Sequence, residues 1–370
     1  MNTCDYTLQL YYYLNFRRLQ TMELLPEWAP QEAIILAWPD AKTDWRPWLE
    51  DVRSVYLTLI QAINTQGTGV ILLIRKAEIG TFKALASHVS TPLAVLLLQA
   101  DYNDTWVRDY AFLTCSTEQG MQPVEFTFNG WGNKFDAHKD NKINQLVLAS
   151  LCRLELQSFA IVAEGGALEI DDTGVLLSTE FCLSNPQRNP DMTMAQYHGV
   201  FKEALGATSV CIFKNGHLEG DDTDGHIDTL VRFTPDKGIV VQTAFNTPDD
   251  PHYQGLAALV AECQAALPDH QIFELPLPYV VNAQGERLPA SYANFLINNK
   301  QILCPVYQQP EDALAMTVIA RAYPQHTIVA INCLPLVQQF GSLHCITMQV
   351  PTDTLKPQIR QQLKTGVSEL

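Results

Sequence analysis

From about residue 30, apolar runs alternate with amphipathic stretches. Ala33-Ile34-Ile35-Leu36-Ala37-Trp38 reads as a strand stopped by Pro39-Asp40. Trp48 to Ile63 carries apolar residues at three and four, the period of a helix. Gly69–Ile74 reads as a second strand, Lys76–His88 as a second helix and Leu93–Leu98 as a third strand. There is no long linker or low-complexity segment and prolines are scattered, so a single α/β domain over 22–370 is expected. Residues 1–21 are expected to be an extension upstream of it. There Tyr11-Tyr12-Tyr13-Leu14 precedes Arg17-Arg18, the reverse of a secretory signal, and Met22 reads as a natural start. N-terminal sequencing of native protein checks this expectation: Met1 or Asn2 at the terminus would contradict it.

A second pattern repeats along the chain: a polar cluster, a strand, a short turn and another strand. Glu164-Gly165-Gly166 leads into Ala167–Ile170, which turns at Asp171–Gly174 into Val175–Ser178. Gly225–Asp228 leads into Thr229–Phe233, which turns at Pro235–Gly238 into Ile239–Gln242. Ser291–Asn294 leads into Phe295–Ile297, which turns at Asn298–Lys300 into Gln301–Cys304. Short Asp/Asn-rich turns between β-rich runs are hairpin signals. The polar openers Asp109, Glu164, His226, Ser291 and Cys345 lie 55, 62, 65 and 54 residues apart. That regularity predicts repeated units around an axis, their strand entrances converging on one centre.

Charge narrows the partners. With 24 Lys+Arg against 40 Asp+Glu, the net charge of −16 disfavours nucleic acid and anionic membranes and favours small cations. No apolar run approaches the roughly 18 residues of a membrane span. The nine cysteines form no C-x-x-C pair, and their odd number predicts reduced thiols in a cytoplasmic protein.

Four segments carry candidate chemistry: Asp104-Thr105-Trp106-Val107-Arg108-Asp109, Glu164-Gly165-Gly166, Asp221–Asp228, and Gly341-Ser342-Leu343-His344-Cys345. Taken separately, each has a plain structural explanation. The acidic stretch fails as an EF-hand, because Gly220 and Val231 fall where carboxylates are required. A zinc site at His226 and Asp228 lacks further histidine spacing. Together, a Cys, a His and several carboxylates at strand entrances are the parts for thiolate chemistry on a cation. Period-two alternation predicts His226 and Asp228 on one side of a strand, and His344 on the face opposite Cys345.

Trp106-Val107-Arg108-Asp109, Phe128-Asn129-Gly130-Trp131-Gly132, Glu164-Gly165-Gly166, Asn185-Pro186-Gln187-Arg188-Asn189-Pro190, Asp224-Gly225-His226-Ile227-Asp228 and Leu343-His344-Cys345-Ile346-Thr347 resemble, in this order, the motifs of the agmatine deiminase family. That family is grouped with bacterial peptidylarginine deiminases among the guanidine-modifying enzymes, and the match runs from about Trp28 to Pro351. The resemblance implies a pentein, a five-bladed α/β propeller with pseudo-fivefold repeats around a central active site. It implies hydrolysis of agmatine to N-carbamoylputrescine and ammonia, with no metal and no organic cofactor.

By the same resemblance, Asp109 and Asp228 grip the guanidinium and Cys345 attacks it to form an amidino-cysteine. His226 protonates leaving ammonia and then activates water, and Glu164 supports His226 or the guanidinium. Trp106 and Asp222 correspond to positions near the substrate's chain or outer end; the plain alternatives, a packed Trp and a turn-capping Asp, carry equal weight. His344 reads as structural. The stretch Gln338–Leu343 departs from the glycine-rich run of many relatives, which predicts a stiffer loop and puts substrate preference in question. The expected partner is a small cationic guanidine, with no nucleic acid and no membrane, and a homo-oligomer is an open expectation. Competing readings are a deiminase of peptidyl arginine or another guanidine, a cysteine peptidase, and a non-catalytic polyamine- or cation-binding protein.

Overall fold

Five separate sheets share one plan in the computed structural model, which describes residues 22–364 and 366–370. In each sheet an antiparallel pair is extended on one side by a parallel strand. The pairs are Leu113–Thr117 with Gly120–Thr127, Glu169–Ile170 with Val175–Thr179, Val231–Thr234 with Gly238–Gln242, Leu296–Asn298 with Gln301–Val306, and Met348–Pro351 with Gln31–Ala37. The parallel additions are Gln157–Val162, Ser209–Phe213, Gln271–Leu275, Thr327–Asn332 and Gly69–Ile74. The hairpin turns expected at Asp171–Gly174, Pro235–Gly238 and Asn298–Lys300 all join such antiparallel pairs. The upstream extension proposed for 1–21 lies outside the described residues.

The central strands Gln31–Ala37 and Gly69–Ile74 are buried almost throughout, which is why they read as continuous apolar runs. The helix Leu49–Asn64 presents Val52, Val55, Tyr56, Leu59, Ile60 and Ile63 to the core on its three-and-four stripe. Among the described residues, no helix is long and apolar enough to cross a membrane.

Strand entrances are where the structure departs most from alternation. The first strand of the third pair starts at Val231, and Ile227–Thr229 is a short 3₁₀ turn. The strand of the fifth pair that follows Cys345 starts at Met348, so His344 and Cys345 sit in the turn before it. Each of the five short strands is thus preceded, within two to five residues, by Asp109, Glu164, Asp228, Asn294 or Cys345.

Candidate active site

Glycine lets these entrances meet. A Cβ on Gly165 would lie 2.1 Å from the Arg108 carbonyl oxygen, so only glycine allows that approach. A Cβ on Gly166 would lie 2.7 Å from His226 Nδ1, 2.8 Å from Asp109 Oδ1 and 3.1 Å from Asp228 Oδ2. Three chemically active side chains therefore gather around the space of one methyl group.

Each is held in place. Asp109 accepts from the Gly166 amide at 2.9 Å through Oδ1 and from Trp131 Nε1 at 2.9 Å through Oδ2. Arg188 Nε donates to both oxygens of Glu164, at 2.8 and 3.0 Å, while its Nη1 reaches Asp224 at 2.7 Å. His226 lies between them, with Nδ1 3.6 Å from Asp109 Oδ1 and Nε2 3.8 Å from Glu164 Oε2. Asp228 Oδ2 meets His344 Nδ1 at 2.7 Å and accepts from Asn294 Nδ2 at 3.3 Å. Cys345 Sγ lies 3.4 Å from Asn294 Oδ1 and 4.0 Å from Asp228 Oδ2. Two buried polar atoms at this centre, His226 Nε2 and Asp228 Oδ1, have no partner. Unpaired buried groups of this kind are costly and mark places built for something else to bind.

Trp131 reaches Asp109 from an unusual backbone. Gly130, Trp131, Gly132 and Asn133 have φ of 69°, 56°, 79° and 62°, a complete left-handed turn where such residues normally occur singly. The Asn129 side chain accepts from the Gly132 amide at 2.9 Å, and Asn129 and Asn133 both donate to the Gln187 carbonyl. Lys134 Nζ closes the third side on the Asp222 carbonyl and Asp224 Oδ1, at 2.6 and 2.7 Å.

Burial and charge set the protonation states. Burial pushes the Cys345 thiol well up, and the Asp228 and Asp109 carboxylates push it further. Burial works against a charged His226, but Asp109, Cys182 and Glu164 outweigh it and hold the imidazole well above its usual range. Asp109 is pushed up by burial and by Asp228 and Glu164, against the pull of His226. Burial also opposes charge on Glu164 and Asp228; His226 with Arg188 overcomes it for the first, and His344 for the second, so both stay below the ordinary range. Glu164, Cys182 and His226 have ligand atoms within 4.8 Å of one another, but Arg188 already occupies both oxygens of Glu164. The cluster is a neutralised ion pair beside a thiol.

Above Cys345, Asp109 and Asp228 opens a cavity of about 260 Å³. Its walls carry Trp106 and Trp131, and Phe135 and Phe340 flank its mouth, 46% and 38% exposed. Six further aspartates line it: Asp44, Asp104, Asp136, Asp140, Asp221 and Asp222. Among the described residues, no lysine, arginine or histidine lines it. Burial raises Asp104 and Asp222 to about 7 and Asp140 to about 8, with Asp44 and Asp221 adding to the first two.

All seven side chains expected at the site fall in this region. Asp109, Asp228, Cys345, Trp106 and Asp222 line the cavity, and His226 and Glu164 lie directly behind it. Trp106 packs on Trp45 at 5.2 Å between centroids and also lines the cavity. Two expectations need correction. His226 and Asp228 come together through a 3₁₀ turn instead of strand alternation. His344 does not turn away from the site but bonds Asp228, because residues 344–347 form a turn, where alternation does not apply. Sequence reasoning missed Asn294, Trp131, Arg188 and Glu27. Asn294 had a signal, since it closes the polar opener of the fourth repeat, and Trp131 and Arg188 stand in two of the motifs that carry the family resemblance; Glu27 acts through contacts that no local pattern records.

The model of the Porphyromonas-type peptidyl-arginine deiminase family matches residues 23–351. The agmatine deiminase of Pseudomonas putida is 28% identical over 361 residues, 88% of this chain and 94% of that protein. A C. jejuni agmatine deiminase solved with substrate bound is 29% identical with a TM-score of 0.83, covering 92% of this chain and 99% of that one. A Porphyromonas gingivalis structure named "Putative Arginine Deiminase" is 36% identical with a TM-score of 0.83, covering 90% and 100% of the two chains.

Proposed function

The chain belongs to the Porphyromonas-type peptidyl-arginine deiminase family, and from that premise we propose that it hydrolyses agmatine to N-carbamoylputrescine and ammonia. The observation that carries the substrate reading is the cavity's one-sided charge: among the described residues, eight aspartates and no cationic side chain line it. A guanidinium with an amine at its far end finds an acceptor at each end. The carboxylate of free arginine would meet only like charge there. The named agmatine deiminases among its relatives favour the same reading.

The roles follow from the geometry. Asp109 and Asp228 hold the planar cation through charge-assisted bonds, with the unpartnered Asp228 Oδ1 as one acceptor. Burial and two carboxylates keep Cys345 protonated; the arriving cation offsets the carboxylates, so the thiol releases its proton to solvent and the thiolate forms when substrate is in place. Sulfur adds to the guanidine carbon. His226, held as imidazolium beside Asp109 and Glu164, gives its proton to the departing nitrogen, and ammonia leaves with that proton. Water then adds to the amidino-cysteine and loses a proton to His226. The C–S bond breaks as the added hydroxyl gives its remaining proton to the departing sulfur, restoring the Cys345 thiol and leaving the neutral ureido product. Trp106 and Asp222 face the substrate's chain and outer end. We further read the five sheets as five propeller blades over 22–370 whose strand entrances meet at this site, in a cytoplasmic enzyme free to form homo-oligomers.

The test is to incubate the protein with agmatine, arginine and a blocked arginyl peptide and to measure ammonia and ureido product for each. Turnover of agmatine alone is expected. Ammonia from arginine or the peptide but not from agmatine would assign the site to the other guanidine class. Agmatine binding without ammonia from any of the three would leave a binding protein.

A further inference from the structure

His344 occupies a position that neither the nucleophile nor the substrate explains. Its ring is buried between two carboxylates, with Nδ1 2.7 Å from Asp228 Oδ2 and Nε2 2.7 Å from Glu27 Oε1. Its own amide donates to Asn294 Oδ1 at 3.0 Å. Glu27 is in turn held by Arg108 Nη1 at 3.0 Å, by Gln349 Nε2 at 3.0 Å and by Arg232, which also pairs with Glu169 at 2.9 Å. A chain of alternating charges therefore runs from the floor of the cavity through the core to a strand of the second sheet. Carboxylates only accept, so two short bonds from one imidazole need a proton on each ring nitrogen.

We infer that His344 is a positioning residue: by bridging Asp228 to Glu27 it immobilises Oδ2 of Asp228 and leaves Oδ1 as the oxygen offered to a guanidinium. The inference rests on Asp228 as a guanidinium ligand. Three observations converge on it. Oδ2 carries all three contacts made by the Asp228 side chain, from His344, from Asn294 and, at 4.0 Å, from the Cys345 thiol. Oδ1 is buried and has none. Glu27 is anchored by two arginines, Arg108 on the oxygen that His344 meets and Arg232 on the other, so the bridge cannot swing toward the cavity without breaking those ion pairs. The charge on the ring has a second effect. Asp228 faces His344, His226 and Arg232 as cations, and Asp109 and Cys345 as its acidic neighbours. The contact with His344 is the largest of the influences that keep Asp228 ionised against its burial.

Two variants separate this role from simple packing. His344→Leu removes both bonds, whereas His344→Asn keeps a neutral donor toward Asp228 and removes the charge and the link to Glu27. With whichever guanidine the wild type turns over, kcat/KM should fall about 100-fold in His344→Leu, assayed below that variant's own melting temperature. His344→Asn should recover most of that loss near pH 8 while its acid limb moves up by about one pH unit, because Asp228 then takes a proton more readily. An Asn variant whose pH profile coincides with the wild type's overturns the inference, whether or not the Leu variant folds. So does a folded Leu variant with wild-type kcat/KM. A wild type inactive on every guanidine fails both this inference and the proposed function, while variants equal to an active wild type fail this one alone.

Discussion

The two ends of the cavity are built on opposite terms. At the closed end Asp109, Glu164 and Asp228 each accept at least two hydrogen bonds, and every side chain is buried. At the mouth the aromatic rings of Phe135 and Phe340 are partly exposed, and the aspartates there answer mainly to burial and to one another. Only the closed end has to hold atoms within a fraction of an ångström, because only there do bonds change. The mouth has to attract a charge, which acts over a longer range and tolerates movement. The contrast predicts that damage at the floor appears in kcat and damage at the mouth in KM.

The largest expected effect is from Cys345→Ser, which should lower turnover by at least about 1000-fold while agmatine binding, followed calorimetrically, persists. Wild-type turnover in that variant would remove the proposed nucleophile. Gly166→Ala should come next, costing about 100-fold in kcat, because the new methyl enters the space shared by His226, Asp109 and Asp228. Trp131→Phe keeps the ring but removes the bond to Asp109, and about a 10-fold loss in kcat/KM is expected.

At the mouth, Asp222→Asn should raise KM for agmatine by about 3- to 10-fold with kcat nearly unchanged. An effect on kcat instead would erase the distinction between the two ends. The pH dependence sharpens the same point. A dication favours the ionised form of Asp104, Asp222 and Asp140, which lie near 7, 7 and 8, so its binding should release protons and KM should fall as pH rises through that range. Butylguanidine, with the same chain and no amine, should show a flatter dependence.

The closed end was also the more legible part of the sequence, and the reason is local. Asp109, Glu164, His226, Asp228 and Cys345 stand at strand entrances beside glycine or turn residues, where short-range patterning is strong. The hairpin turns at Asp171–Gly174, Pro235–Gly238 and Asn298–Lys300 were readable for the same cause. What holds those groups was not readable: Glu27 is separated by 317 residues from His344 and by 205 from Arg232. Residues that support catalysis by reaching across the core leave no periodicity behind. His344 shows the converse error, a sound rule for strands applied to a turn.

The left-handed turn at Gly130–Asn133 has a consequence for how this protein fails. Such a backbone is unfavourable by about 1–2 kcal/mol for each residue bearing a side chain, and it is maintained by contacts with the 185–188 and 222–224 loops, not by its own propensity. Segments of this kind open before the sheets beneath them. In mild urea, turnover should therefore disappear while far-ultraviolet circular dichroism still reports an intact scaffold.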